Sequence, residues 1–318
     1  MSELLTVIPV YNGVHYLRAT LESLARQTRR PDRVVVIDDC STDGTCALVE
    51  SFEEISCELV RNEKNLGLFP NLNHALEYAE DTEFFHLLLA DDCIRPSFLE
   101  TLVESLAQSS APSFVYCSYD WIDSTGNVIQ VGGKMGGKRS YPIGRSKFIY
   151  RQSLLQTVSV GSVVIRSGKQ PLPVFFRQDM PHVADCVFYA ELGACCGEIL
   201  EIAEALCEIR RHSENATQQN TKNLNAWVTD EFRAMQRISC LMPQKGWPSL
   251  VHDHRQKCLF AARSRVKQQW TKREDPHFAL QIGAIVARET AWYHRLLGRM
   301  AVTVRDLVVG RNLPDRPR

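Results

Sequence analysis

The first 120 residues repeat one arrangement. A short apolar run is followed by a segment whose apolar residues recur every three or four positions. LLTVIPV at 4–10, RVVVID at 33–38, CELVR at 57–61, FFHLLLA at 84–90 and SFVYCSY at 113–119 have the length and residue types of buried strands. Between them, Leu17, Leu21 and Leu24 share one helical face, as do Leu72, Leu76 and Ala79, and Leu99, Leu102 and Leu106. Strands with little polar alternation need cover on both faces, and helices between successive strands supply crossovers. The pattern therefore predicts an α/β fold with a mostly parallel sheet flanked by helices. Ligands of such sheets collect beyond the carboxyl ends of the strands.

The pattern changes after residue 120. Ser124-Thr125-Gly126-Asn127 between two β-like arms predicts a hairpin from Trp121 to Val131. A Gly- and Lys-rich loop follows (GGKMGGKRSYPIG), then a strand at Val158–Ile165, a helix at about 182–193 and a short strand at about 197–202. From about 223 onward the chain reads as helices, with breaks near Pro243–Pro248 and at Asp275-Pro276. The expected division is a domain over 1–217, with halves at 1–120 and 121–217, and a helical C-terminal region over 218–318.

Charge follows the same division. Lys+Arg and Asp+Glu are both 37, which disfavours a globally basic nucleic-acid binder. The balance hides a gradient: residues 1–110 carry 19 acidic and 8 basic side chains, whereas 230–318 carry 8 acidic and 17 basic. Eleven scattered cysteines without a Cys-x-x-Cys pair read as reduced thiols. With no signal peptide and no long apolar span, the expectation is a cytoplasmic protein, at most peripheral at the inner face of a membrane.

Four blocks fall where such a sheet places ligand-binding residues: VIPVYNG (7–13), IDDCSTDGT (37–45), NEKNLGLFPNLN (62–73) and LLLADDC (87–93). An Asp-Asp pair at a strand end can be plain turn and cap chemistry. Two such pairs converging on one crevice repel each other unless a cation or polar ligand compensates. Hard divalent ions are often held by one or two carboxylates together with substrate phosphates, so the pattern points to a metal-assisted phosphate ester. Neither G-x-G-x-x-G nor G-x-x-x-x-G-K-[ST] occurs, which disfavours a dehydrogenase or a P-loop NTPase.

In this order and at these distances, the four blocks resemble family 2 glycosyltransferases of the GT-A fold. The match covers about residues 4–110, with weaker agreement to about 217. The resemblance implies inverting transfer of a sugar from a nucleotide-diphosphate donor, UDP favoured over dTDP or GDP, to a hydroxyl of a glycan or lipid-linked acceptor, usually with Mg2+ or Mn2+. By the same resemblance Pro9, Tyr11 and Asp39 line the base and ribose pocket. Asn65, Gly67 and Asn73 approach the nucleoside, Asp91 contacts ribose or metal-bound water, and Asp92 holds the metal. Leu89 stands where the family's first Asp of D-x-D-D is common.

An inverting displacement needs a base on the acceptor side. Asp185, in PHVADCVFYAELG, matches the family's acidic residue at a helix start, where Asp is also an ordinary cap. CEIRRHSENAT resembles a segment in which His212 approaches the metal or diphosphate and Arg210 or Arg211 neutralises leaving-group charge. Gly161 and Ser162 match the strand bordering the acceptor pocket, although small residues there can equally reflect tight packing. His252-Asp253-His254 is read as solvated surface, because i and i+2 do not share a helix face. The arginine-bearing amphipathic segment at about 280–311 is read as packing on the catalytic domain, ahead of docking on anionic lipid or forming a homo-oligomer. A sugar-nucleotide nucleotidyltransferase and a non-catalytic sugar-nucleotide-binding protein are the alternatives.

Overall fold

The computed structural model describes residues 3–309 apart from 108, 110–111, 133–139, 157, 214, 216–219 and 243–246. Two compact units are present, each discontinuous in sequence. The first comprises Met1–Phe148, Thr157–Arg177 and Glu191–Arg211; the second comprises Ile149–Gln156, Gln178–Ala190 and His212–Arg318.

The first unit opens with β1 (Leu4–Val10), α1 (Leu17–Ala25), β2 (Arg33–Asp38), α2 (Thr45–Glu50), β3 (Glu58–Arg61), α3 (Leu68–Glu77) and β4 (Phe84–Leu87). It continues with β5 (Cys93–Ile94), α4 (Phe98–Leu106), β6 (Ser113–Ile122), β7 (Val128–Gln130), β8 (Ser140–Pro142), β9 (Val163–Arg166) and β10 (Glu198–Arg210). The sheet runs in the order β3-β2-β1-β4-β9-β6-β10-β5, with β7 on β6 and β8 on β10. Pairing is parallel across β3-β2-β1-β4 and again between β6 and β10. β9 lies antiparallel between β4 and β6 and joins the two parallel blocks.

The expected apolar faces all point inward. Leu17, Leu21 and Leu24 of α1 and Leu99, Leu102 and Leu106 of α4 are fully buried, each such side chain contributing about 1.5–3 kcal/mol. The expected hairpin forms, with Ile122 opposite Val128. All eleven cysteines are free thiols. Some boundaries differ from the sequence reading. Residues 160–162 form a 3-10 turn, and only Val163 onward is strand. The strand expected at 197–202 runs on to Arg210 because β6 offers a partner along that length. Pro9 lies inside β1, opposite Ile37; it coincides only with the end of pairing to β4, whose last partner is Val7.

α5 (Arg145–Gln152) and α6 (Ala184–Cys195) each contribute to both units. The second unit's own helices are α7 (Asp230–Ser239), α8 (Trp247–Thr271), α9 (Pro276–Glu289) and α10 (Trp292–Val309). Asp275 caps α9 by accepting from the Phe278 N–H at 2.9 Å, with Pro276 at the first helical position, as the Asp-Pro pair predicts. Buried Glu231 of α7 is paired with Arg263 and Lys267 of α8, at 2.9 Å each. Burial alone would raise the Glu231 carboxyl, but these two cations hold it well below the usual range.

Two readings of this region are corrected. His252 is not solvated: its Nε2 lies 3.2 Å from the hydroxyls of both Ser153 and Ser239, while His254 Nδ1 lies 2.8 Å from His294 Nε2. The two histidines do point to different neighbours, as their spacing requires. The segment expected as one amphipathic stretch is two helices, broken at Thr290-Ala291. α10 packs on α8 through His294, Gly298 and Val302, where a Cβ on Gly298 would stand 2.9 Å from the Ala262 nitrogen. Its opposite face leaves Trp292, Leu296, Leu297 and Met300 exposed. Of the arginines and apolar residues read into that segment, the side chains of Val304, Arg305, Leu307, Val308 and Arg311 lie outside the described residues, as do residues 133–139 of the Gly-rich loop.

Candidate active site

The loops at the carboxyl ends of β1, β2 and β3 are stitched together by side chains from the sequence blocks. Asn12, at φ 50°, donates its N–H to the Ser41 hydroxyl (2.8 Å) and accepts from the Thr42 N–H (2.9 Å). The Gly13 N–H donates to the Thr45 hydroxyl at 2.9 Å, and a Cβ on Gly13 would fall 2.4 Å from a Val10 methyl, so only glycine fits. Tyr11, between these anchors and the strand, is 52 % exposed at the tip of β1.

Asp39 is buried, and both its oxygens are used. It accepts from the Asn62 side-chain amide (2.9 Å) and from the N–H groups of Leu66 and Gly67 (2.8 Å each). Its carboxylate thus folds the β3–α3 loop over the end of β2, with Gly67 at φ 87° opening α3. Asn62 also donates to the Asn71 side chain at 2.9 Å, and Asn71 donates to the Ile37 carbonyl at 3.3 Å. Asn62 and Asn71 were missed in the sequence; the available signal was Asn71 itself, a polar residue beside Leu72 on the core face of α3. Asn65 is exposed. Asn73, expected at the nucleoside, has its amide committed to the backbone of Phe176, donating to the carbonyl at 3.0 Å and accepting the N–H at 2.7 Å.

Asp91 and Asp92 follow β4 and are placed differently. Asp91 is half-buried, whereas Asp92 is 1 % exposed. Asp92 Oδ1 accepts the Arg210 N–H at 2.9 Å, and Oδ2 is buried with no hydrogen-bond partner among the described residues. Burial first, and the Asp91 charge second, push the Asp92 carboxyl well above the usual carboxylate range. Asp92, expected as the metal ligand, is buried with one oxygen unpartnered among the described residues, and Asp91 beside it is half-buried. Among the described residues no three His, Cys, Asp or Glu side chains converge on a metal site. The unpartnered Asp92 oxygen next to Asp91 fits a hard divalent ion whose shell phosphate oxygens would complete.

Arg210 is buried behind this turn. Its Nε donates to the Asp91 carbonyl (2.9 Å), Nη1 donates to the Asp123 carbonyl (3.0 Å), and the guanidinium lies 5.1 Å from the Tyr16 ring centre. Those donors meet protein acceptors, so Arg210 braces the Asp91-Asp92 turn. The Arg211 guanidinium stacks 3.7 Å over Trp121, and burial lowers its pKa. A Cβ on Gly161 would stand 3.6 Å from Asp92 Oδ2, and the Ser162 hydroxyl donates within its own turn to the Ser159 carbonyl at 2.8 Å.

Asp185 and His212 belong to the second unit. Asp185 is half-buried at the start of α6, where its Oδ1 accepts the Cys186 N–H at 2.7 Å; burial raises its pKa to about 6. His212 donates its backbone N–H to the Asn215 side chain at 2.5 Å.

The model of the family "Glycosyl transferase family 2" matches residues 6–167, which run from within β1 through β9 and include the loops of the β1–β4 block. The chain belongs to this family. Its fold is GT-A. Over 99 % of the chain it superposes on Staphylococcus aureus TarS 1-349 in complex with UDP-GlcNAc, with a TM-score of 0.63, 18 % identity and 93 % of that chain covered. Over 97 % it superposes on the mannosyltransferase PcManGT of Pyrobaculum calidifontis in complex with GDP-Man and Mn2+, with a TM-score of 0.56, 15 % identity and 88 % coverage. In sequence it is 30 % identical, over 38 % of its length and 47 % of the relative's, to Escherichia coli WfgD, a UDP-Glc:alpha-D-GlcNAc-diphosphoundecaprenol beta-1,3-glucosyltransferase. The chain spans between 18 % and 66 % of the length of the curated relatives it matches. Among the described residues no helix is long and apolar enough to cross a membrane.

Proposed function

We propose that the protein is an inverting glycosyltransferase that moves a sugar from a UDP-sugar to a hydroxyl of a cell-envelope glycan or lipid-linked precursor. The observation that carries the donor half is the Asp39 clamp. A buried carboxylate holds the β3–α3 loop over the end of β2, and Tyr11 stands exposed at the tip of the adjoining strand β1, an aromatic face for a flat, polar base. The UDP-GlcNAc bound by the TarS neighbour supports a uridine nucleotide over the alternatives.

In this reading the diphosphate lies at the end of β4. Asp92, with Asp91 beside it, would hold Mg2+ or Mn2+ there together with the phosphates, and the ion would supply charge neutralisation for the departing nucleotide. Arg210 keeps the Asp91-Asp92 turn in place from behind. Asp185 takes the proton of the acceptor hydroxyl as it attacks the anomeric carbon, a role that suits a partly exposed carboxyl whose pKa stands near 6.

The exposed ridge of α10 completes the proposal. Trp292, Leu296 and Met300 follow one another at i, i+4 and i+8, flanked by Arg295 and Arg299. Apolar and aromatic side chains beside arginines match an anionic bilayer surface, so this face is assigned to peripheral docking at the membrane.

A thermal-shift series with UDP, GDP and dTDP, and with their sugar conjugates, each with and without Mn2+, tests the donor assignment. A metal-dependent stabilisation by UDP alone is the expected result. Stabilisation by GDP or dTDP and not by UDP would overturn the assignment.

A further inference from the structure

Position 86 is where an apolar residue is the rule, in the middle of FFHLLL on the central strand β4, yet the chain places histidine there. The ring is fully buried and packs on Phe98, with centroids 5.0 Å apart. Burying an imidazole is costly unless its nitrogens are bonded, and both are. Nε2 lies 3.1 Å from the Gly161 carbonyl oxygen, which can only accept, so Nε2 carries the proton. Nδ1 then accepts from the hydroxyl of buried Thr6 at 3.3 Å. Burial lowers the pKa to about 4, so this neutral form persists at ordinary pH.

Gly161 links His86 to the candidate site. A Cβ built on it would lie 3.3 Å from a Leu88 methyl, 3.5 Å from Cys207 Sγ and 3.6 Å from Asp92 Oδ2. Asp92 is thus held on Oδ1 by the Arg210 N–H, and the space beside its Oδ2 is bounded by Gly161, where any larger residue would bring its Cβ into van der Waals contact. The 160–162 turn that carries Gly161 is a 3-10 turn joined to the short strand β9. Side-chain support for the Gly161 carbonyl comes from His86.

We propose that His86 is a positioning residue for the Asp91-Asp92 turn: by donating to the Gly161 carbonyl it seats the 160–162 turn against Asp92, so that Asp91 faces the donor. The donor half of this statement rests on the function proposed above, and the experiment separates the two. Gln can place a donating amide near the Nε2 position, whereas Leu fills the space and donates nothing.

Three variants are compared, His86→Gln, His86→Leu and Leu24→Ala, the last a truncation of a buried α1 side chain that reports general loss of core stability. Two quantities are read: amide hydrogen exchange at Arg210, whose N–H is bonded to Asp92, and affinity for UDP with and without Mn2+. In His86→Leu, Arg210 exchange should quicken beyond that in Leu24→Ala. Mn2+-dependent UDP affinity should fall about tenfold, the scale of one buried hydrogen bond, while metal-free UDP affinity stays unchanged. His86→Gln should remain within about threefold of wild type in each, less than a full hydrogen bond's worth. Changes no larger than those in Leu24→Ala would overturn the proposal, as would equal losses with and without metal. If His86→Leu does not fold, His86→Met carries the same test, since it too fills the space and donates nothing; an unaltered Arg210 exchange there would overturn the proposal. If the wild-type protein shows no metal-dependent UDP binding, the donor reading fails and the exchange measurement alone decides the role of His86.

Discussion

The backbone N–H of Arg210 donates to the Asp92 carboxylate at 2.9 Å across 118 residues of sequence, while the Arg210 side chain donates to the carbonyl of Asp91. One residue at the end of β10 therefore secures both members of the turn that follows β4. Asp92 is enclosed by this contact, and Asp91 is half-buried beside it.

Arg210→Ala removes the brace without touching the carboxylates. The carbonyls of Asp91 and Asp123 lose a charged donor, which is expected to cost about 2–4 kcal/mol. Urea unfolding gives the stability loss, and calorimetric titration with UDP and Mn2+ should show weakened binding in the variant that remains folded.

Asp39→Asn keeps the shape and reverses part of the polarity. Three N–H donors converge on the carboxylate, and an amide must turn its own donors toward at least one of them. Nucleotide affinity should drop by about tenfold or more, equivalent to ~1.4 kcal/mol, read by titration calorimetry.

Cys40 follows Asp39 at φ 63°, in the left-handed region. That conformation costs a residue with a Cβ roughly 1–2 kcal/mol. Glycine avoids this cost but loses about 0.5–1 kcal/mol to its greater chain entropy. Cys40→Gly should therefore gain about 0.5–1 kcal/mol in denaturant unfolding.

Asp185 carries a pH signature of both stability and activity. Its pKa is raised from 3.8 to about 6 by burial, so the folded protein binds this proton more tightly than the unfolded chain does. Its contribution to stability is best below pH 4 and declines as pH rises through about 6, by no more than about 3 kcal/mol. Asp185→Asn should thus be more stable than wild type at pH 8 while losing transfer activity by about 100-fold or more. The wild-type kcat/KM should rise with pH through about 6 as the base ionises. Urea midpoints and a pH–rate profile check both signs.

The α10 ridge can be removed without altering its seam on α8. Leu296→Asp with Leu297→Asp should abolish co-sedimentation with vesicles containing anionic phosphatidylglycerol and leave the unfolding transition nearly unchanged, since both side chains are exposed. Equal sedimentation of wild type and variant would remove the membrane assignment.

Most of the first unit was legible in the chain because its signals are local. Apolar runs at 4–10 and 33–38 became strands with those bounds, since a run buried on both faces is specified by residue type alone. Leu17, Leu21 and Leu24 were assigned to a buried face by spacing and lie there. The four blocks and their order were likewise enough to place the chain in its family. Tertiary structure decided which oxygen, carbonyl or amide each of those residues meets. Adjacent aspartates look alike in sequence, yet Asp92 is fully enclosed and Asp91 only half-buried, because β10 arrives from 118 residues away to bond Asp92. His86 and Asn71 gave only the weak signal of a polar residue on an apolar face. Their meaning depends on partners that the fold alone brings within hydrogen-bond distance, since directional contacts between distant segments leave no period in the sequence.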